Sequence, residues 1–446
     1  MFAKIIMTAV VLSFGFGVAS APRIEAADTE STTQTTLDST SNIDDYVLYA
    51  VEQNPFLRAY YDKQTAAIEA PSQAGAMPDP TFAFGYFFSS PETRLGAQEW
   101  TFRLSQKLPF FGKRGLRRDV AQTEADAWAN AYDDRLLDLV RDVRHAYYDY
   151  FRVHETTRIT RSEKDVIRGM QNIAQVKYAS GLASQQDVLK AQLALSHLDD
   201  RLTTLRRDLV SATARLNELL GRDPDAALAD PSFTMPTSET QDVERLYEIA
   251  LANRPDIAIA DLGMVRAEKS RALAKREYYP DLTLSLNYVT VSERPVPVED
   301  NGRDIFHVGA AINVPIWFGP RGAAVAEAEA SIAMARNEKI GLQVRIKREV
   351  RDAFSRVESA RELVKLHRDV IIPQAEQTFR ASEAGYQTGQ VDFLNYLDSE
   401  RMLLSVRQSY FALVADLGRQ YADIERSLGI GLQTGRSGDN GEGSGE

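Results

Sequence analysis

The sequence predicts a mainly α-helical protein whose few strands suit a membrane β-barrel, built from a helix–β-hairpin–long helix–helix unit that occurs twice. Three observations carry this. Four anchors recur in one order at an offset that drifts only from 200 to 208. They are Asn54-Pro55 with Arg254-Pro255, Pro78-Asp79 with Pro280-Asp281, Leu108-Pro109 to Gly115 with Val314-Pro315 to Gly322, and Tyr178-Ala-Ser-Gly181 with Tyr386-Gln-Thr-Gly389. Ordered matches of this kind mark an internal duplication. Two stretches of 65 residues, 114–178 and 322–386, keep helical periodicity; the first has no proline and only two glycines, Gly115 and Gly169, and the second a single proline, Pro373. Four runs of about ten residues alternate large apolar with small or polar side chains, the period of a strand.

The elements follow in chain order. Residues 1–27 read as a signal peptide: Lys4, an apolar run from Ile5 to Val18, then Ala19, Ser20 and Ala21. Pro22 disfavours cleavage directly after Ala21, so the cut falls between about Ser20 and Ala27. The apolar run is too short to span a bilayer as a helix, so the chain is exported. Residues 28–43 are Ser/Thr-rich with scattered acids and cannot bury enough apolar surface to order themselves. The first repeat is 44–221: one helix from Asp44 to about Ala76, a hairpin, the long helix, and a medium helix over 184–220. Within the long helix Leu136, Leu139, Val143, Ala146, Tyr150 and Val153 form an a/d seam. A connector at 222–241 carries Pro224, Pro231 and Pro236, which stop helices. The second repeat, 242–431, follows the same order, with Val350, Phe354 and Val357 on one face of its long helix. A Gly-rich tail, 432–446, closes the chain. A 65-residue helix is roughly 98 Å long, and the helices of 37 and 33 residues are about 56 and 50 Å. The shorter two, end to end, match the long one, which predicts a tall wall of paired helices.

The strands point to lipid. Phe82, Phe84, Tyr86 and Phe88 share one face of the first run, and Trp100, Phe102 and Leu104 one face of the second. Leu282, Leu284, Leu286 and Tyr288 do so in the third, and Phe306, Val308 and Ile312 in the fourth. Alternation alone also fits a half-buried sheet in a soluble domain. The run length suits a tilted membrane strand, the apolar faces are aromatic, and Phe110, Phe111, Trp317 and Phe318 sit where an interfacial girdle would be. The links 89–98 and 290–303 are polar. Four strands cannot close a barrel, and an open edge is not tolerated in lipid, so several chains must contribute. Eight strands leave room only for side chains, so a conduit requires three or more chains.

Composition excludes much else. The 446 residues carry a formal net charge of −11 and no cysteine, which removes disulfides, thiolate metal sites and thiol catalysis. The acidic balance disfavours nucleic acid as a partner. The five histidines, His145, His154, His197, His307 and His367, include no i, i+4 pair, and no P-loop or nucleophile-elbow motif occurs. No catalytic, cofactor-binding or metal residue is therefore expected. The cluster Lys113, Arg114, Arg117 and Arg118 is either a solvated helix face or a contact to anionic headgroups.

The duplicated order, the Pro-aromatic-aromatic-Gly strand exits and the Tyr-x-x-Gly helix tips resemble the TolC-type outer-membrane efflux family over residues 44 to 430. The resemblance implies a homotrimer in the outer membrane of a Gram-negative-type cell, a 12-stranded barrel continued by a 12-helix tunnel in the periplasm. It implies a passive exit duct of a tripartite efflux pump, docked to a periplasmic adaptor and an inner-membrane pump, most simply of the RND type. Pro78-Asp79-Pro80 and Leu394 to Arg401 look closest to the branch that serves metal or drug efflux. A duct for type I protein secretion and a soluble periplasmic coiled-coil scaffold are the alternatives. The resemblance further implies a periplasmic gate near Asp187, Tyr386, Asp392, Asn395 and Asp398, and adaptor docking at Gly181, Leu182, Gly389 and Gln390. Asn395 and Val391 stand where the family commonly has an acid and an arginine, which disfavours a salt-bridged lock. Asp187 and Asp392 follow turns closely, and helix capping explains them as readily as gating. Asp398 lies a turn further in.

Overall fold

The structure, a computed structural model, describes residues 37, 40–233, 242–295 and 299–430. The signal peptide expected at 1–27, the tail at 432–446, most of 28–43 and part of the connector lie outside the described residues.

Each repeat runs short helix, helix, hairpin, long helix, medium helix. The first has α1 (Ile43–Gln53), α2 (Pro55–Ala74), β1 (Thr81–Tyr86), β2 (Glu92–Thr93), β3 (Gly96–Leu108), α3 (Lys113–Ala179) and α4 (Gln185–Leu220). The second has α5 (Val243–Asn253), α6 (Pro255–Arg276), β4 (Leu282–Ser292), β5 (Ile305–Ile312), α7 (Phe318–Leu366), a π-helical turn (His367–Ile371), α8 (Ile372–Thr388) and α9 (Phe393–Leu428). The single helix expected from Asp44 is thus two. Pro55 lacks an N–H, and Asn54 uses its side chain instead to accept from Leu57 N–H and donate to the Leu219 carbonyl. In the second repeat Arg254 occupies the same corner and donates to the Ser427 carbonyl, pinning the corner to the end of the medium helix as Asn54 does.

The second long helix is also interrupted, and the interruption accounts for the last step of the offset. Gly115 and Gly322 are 207 apart, whereas Tyr178 and Tyr386 are 208 apart. Between them lies the π-helical turn, which holds one more residue than an α-turn without breaking the rod. Pro373 follows the π-helical turn directly and has no N–H to donate back into it, which fits the widened hydrogen bonding there.

α3, at 67 residues, runs about 100 Å and packs against α2, α4, α6 and α9. α6 and α9 pack in turn on α7, and α9 on α8. The helices therefore stand as four columns in the order α2/α4, α3, α6/α9, α7/α8. The main core joins α1, α3, α4, α7 and α9 around Val47, Val143, Tyr147, Leu216, Val357 and Leu417. The expected seam is buried at Leu139, Val143, Ala146, Tyr150 and Val153, with Leu136 packed against its edge. Gly418 is required there: a Cβ would lie 2.4 Å from the Tyr148 ring.

One sheet runs β1-β3-β4-β5, all antiparallel, with β2 paired to β3. β2, the start of β3 and the end of β4 extend into the expected loops, and Arg294 bonds Glu92 at 2.5 Å to join the two hairpin ends.

Candidate functional site

The strand register gathers the apolar residues onto one face. Tyr86 pairs with Trp100, Phe84 with Phe102, Phe82 with Leu104, Phe102 with Tyr288, Leu104 with Leu286, Tyr288 with Phe306 and Leu286 with Val308. Directly paired residues point the same way, so the four alternations merge into one band. Phe84 is 71% exposed and Phe306 65%; Phe88, Leu282, Leu284 and Ile312 are exposed too. Phe102 and Tyr288 are half-buried because neighbouring rings flank them, with Tyr288, Trp100 and Phe82 at 6.3 to 6.5 Å from Phe102. The opposite face carries Ala83, Arg103, Asn287 and His307 in one row, and Arg103 Nε donates to Asn287 Oδ1 at 2.8 Å. In the expected girdle Phe111, Trp317 and Phe318 are exposed, whereas Phe110 stacks on Tyr279 at 4.6 Å.

Where sheet meets helices, the basic cluster divides: Arg117 and Arg118 are exposed, whereas Lys113 and Arg114 turn inward. Lys113 is 1% exposed, and its Nζ donates to Asp281 Oδ1 at 2.8 Å, the Tyr279 carbonyl at 2.9 Å and Glu277 Oε2 at 3.1 Å. Asp281 also accepts from Phe110 N–H at 3.0 Å and pairs with Lys107 at 3.2 Å. Burial by itself would raise the Asp281 carboxyl. The bonds from Lys113, Phe110 N–H and Lys107 and the Lys113 charge outweigh it and hold the carboxyl at about 2. Arg114 Nε donates to the Gly75 carbonyl at 2.9 Å, and its repeat counterpart Arg321 to the Glu277 carbonyl at 2.9 Å. Each arginine satisfies a carbonyl at the end of the helix that enters its hairpin.

At the other end, two helical hairpins place their turns together. Gly181 and Gly389 have φ of 74° and 79°, the left-handed conformation that ends α3 and α8. Leu182 N–H returns to the Lys177 carbonyl, and Gln390 N–H to the Gly385 carbonyl, each at 2.8 Å. Asp187 completes a capping box with Ser184, and Asp392 caps α9 by accepting from Asn395 N–H at 2.8 Å and from Asn395 Nδ2 at 3.2 Å. Tyr386 is 4% exposed, in an aromatic cluster with Phe393 and Tyr396, both at 5.4 Å. Burial raises its phenol pKa, with the Asp187 charge adding. Its hydroxyl has no partner among the described residues. Lys177 reaches across from α3: its Nζ lies 4.4 Å from the Tyr386 ring centre and donates to the Tyr386 and Gln387 carbonyls. Asp398 stays exposed and pairs with Arg401 at 3.4 Å. Between the tips is a polar cleft of about 940 Å³ reaching Lys177, Asp187, Lys190, Gln390 and Asn395.

The outer membrane efflux protein profile matches residues 49–222 and 246–430, most of the chain. The chain belongs to the outer membrane efflux protein family. The cobalt-zinc-cadmium resistance protein CzcC of Cupriavidus metallidurans is 22% identical over 341 residues, 76% of this chain and 79% of CzcC. The probable efflux pump outer membrane protein TtgC of Pseudomonas putida is 25% identical over 348 residues, 74% of this chain and 69% of TtgC. The outer-membrane channel OprN has the same fold, with a TM-score of 0.74, 19% identity, and coverage of 92% of this chain and 97% of that one.

In this outer membrane efflux protein the tip residues singled out from sequence all lie within one region. Asp187 and Asp392 make capping contacts, Asn395 supports Asp392, and Tyr386 packs inside its own chain. Asp398 is the acid left pointing to solvent. Lys177, Tyr396 and the Lys113–Asp281 pair were not foreseen. Phe393 and Tyr396 lie within one turn of Asp392, a usable aromatic signal. Lys113 and Asp281 are 168 residues apart, and nothing local announces their contact. Among the described residues no group of three or more His, Asp or Glu is placed to hold a metal, and no helix is long and apolar enough to cross a membrane.

Proposed function

We propose that this protein is the outer-membrane duct of a tripartite efflux pump, releasing small toxic compounds or metal ions without chemistry of its own. The observation that carries this reading is the aromatic, exposed strand band standing at one end of a helical wall in a chain of the outer membrane efflux family. β1 and β5 each keep an unpaired edge among the described residues, and such edges in lipid require closure. Three copies supply twelve long strands and twelve helical columns, the assembly we infer. A periplasmic adaptor meets the tips around Gly181, Leu182, Gly389 and Gln390, and an inner-membrane pump, most simply RND-type, supplies the energy. The scaffold alternative leaves the aromatic band without a role. The names of CzcC, a cobalt-zinc-cadmium resistance protein, and TtgC, a probable efflux pump outer membrane protein, support efflux, with metal ions among the cargo.

The test is fractionation followed by complementation. The full chain is expected in the outer membrane as a heat-labile, detergent-stable trimer. Paired with its adaptor and pump in a duct-deficient host, it is expected to restore growth on cobalt, zinc or cadmium salts or on organic toxins. Recovery in the soluble periplasm would end the duct reading, and rescue only of a secreted protein would shift the cargo to the type I alternative.

A further inference from the structure

A second cavity, of about 340 Å³, lies on the wall where α3, α4 and α9 meet. Its walls are Ile167, Ala194, Leu198 and Leu404, with His197 and Arg401 at the rim. Glu400 lines it as well, and this residue is only 2% exposed. Glu400 Oε1 is buried without a hydrogen-bond partner among the described residues, and no ion pair reaches the side chain there. A buried carboxylate in that state loses its hydration with nothing in return, which costs several kcal/mol. Arg401 does not answer it, because its guanidinium turns outward to exposed Asp398. At the matching place of the first repeat, 208 residues earlier, stands Gln192, which is exposed, so the buried acid is particular to the second repeat.

We propose that this cavity binds a small organic cation, an ammonium or guanidinium on a short apolar body, with Glu400 as its counter-charge. The volume falls in the range of small-molecule sites, and apolar walls around one oriented polar group are the usual build of such sites. A charge-assisted bond from the ligand would satisfy Oε1, and Ile167, Leu198 and Leu404 would cover the apolar body. A metal ion is disfavoured because no group of three or more His, Asp or Glu among the described residues could hold one. The site lies within one chain, so it stands apart from the duct reading and survives that reading's failure.

The experiment uses the full chain in detergent, titrated calorimetrically with n-hexylguanidinium, its neutral near-isostere n-hexylurea, and hexanoate. Saturable binding of hexylguanidinium is expected, with hexylurea and hexanoate at least tenfold weaker. Glu400→Gln, which carries the residue the first repeat uses, is expected to weaken hexylguanidinium at least tenfold with the helical circular dichroism and oligomer unchanged. Leu198→Trp, which fills the cavity and keeps the carboxyl, should also abolish binding. Glu163 lies a turn from Ile167 and does not line the cavity, so Glu163→Gln should leave affinity within twofold. Equal binding by wild type and Glu400→Gln, an equal loss in Glu163→Gln, or no saturable binding at all would overturn the proposal.

Discussion

Lys113 and Asp281 carry the joint between sheet and helices, and they do so as a buried pair with every polar atom engaged. Removing one partner of such a pair strands the other, so Lys113→Ala should destabilise the fold by roughly 3 kcal/mol or more. Adding Asp281→Asn should recover part of that loss; heat-dissociation midpoints in detergent measure both. The sign of the pH effect follows from the depressed carboxyl. Asp281 sits at about 2 in the fold against an ordinary 3.8, so its contribution is complete above about pH 4 and disappears as pH falls through 2. A pH series of midpoints should steepen in that window for wild type and flatten in Lys113→Ala. Asp398 belongs at this scale as well. We expect Asp398→Asn to lower the preference for cations, read as a shift of single-channel reversal potential in a salt gradient. An unchanged potential would remove Asp398 from the gate.

At the scale of elements, the two long helices differ by the π-helical turn at His367–Ile371. The turn absorbs its extra residue, so deleting Val370 should restore plain α-helix and leave α8 close to its present phase. Deleting Gln377 from the regular helix beyond it should instead turn the α8 tip by about 100° with a shift of about 1.5 Å. Tyr386 would then leave its place between Phe393 and Tyr396. Hydrogen exchange should show lost protection over 379–397 and none over the strands. Lost tip protection in the Val370 deletion as well would mean that the turn does not absorb the residue. The duplication itself was readable because its anchors are prolines, glycines and aromatics, residues with few substitutes. The break at Asn54 was missed because periodicity continues across it. Only the missing N–H of Pro55, met by the Asn54 side chain, divides the rod.

At the scale of the whole molecule, the internal repeat specifies how copies would join. Shifting the first-hairpin pair Thr81–Ser105 by the offsets of its two strands, 202 and 206, lands on Thr283–Ala311, an observed pair. The same offsets applied to Leu104–Leu286, where β3 meets β4, set Ala310 of one copy opposite Phe84 of the next. The natural chain has no cysteine, so the test is clean. Phe84→Cys with Ala310→Cys should oxidise to a covalent trimer on denaturing gels. Phe84→Cys with Val308→Cys is two residues out of register and beyond the Cα separation a disulfide spans, and it should stay monomeric. Crosslinking by the second pair alone would keep the trimer and correct the register. No crosslink by either would remove the closure.

The sequence by itself determined the duplication, the helix and strand periods, the apolar faces and the positions of the turns. Each of these is local, set by spacing along a few turns or strand residues and by the backbone limits of glycine and proline. Only the tertiary structure decided what faces what. It turned Lys113 of the basic cluster into a buried clamp on Asp281, placed Tyr386 in its own chain's core beneath Lys177, and left Glu400 Oε1 buried without a partner among the described residues. Those outcomes depend on contacts between residues far apart in the chain, where desolvation makes a charge matter only once its surroundings are known.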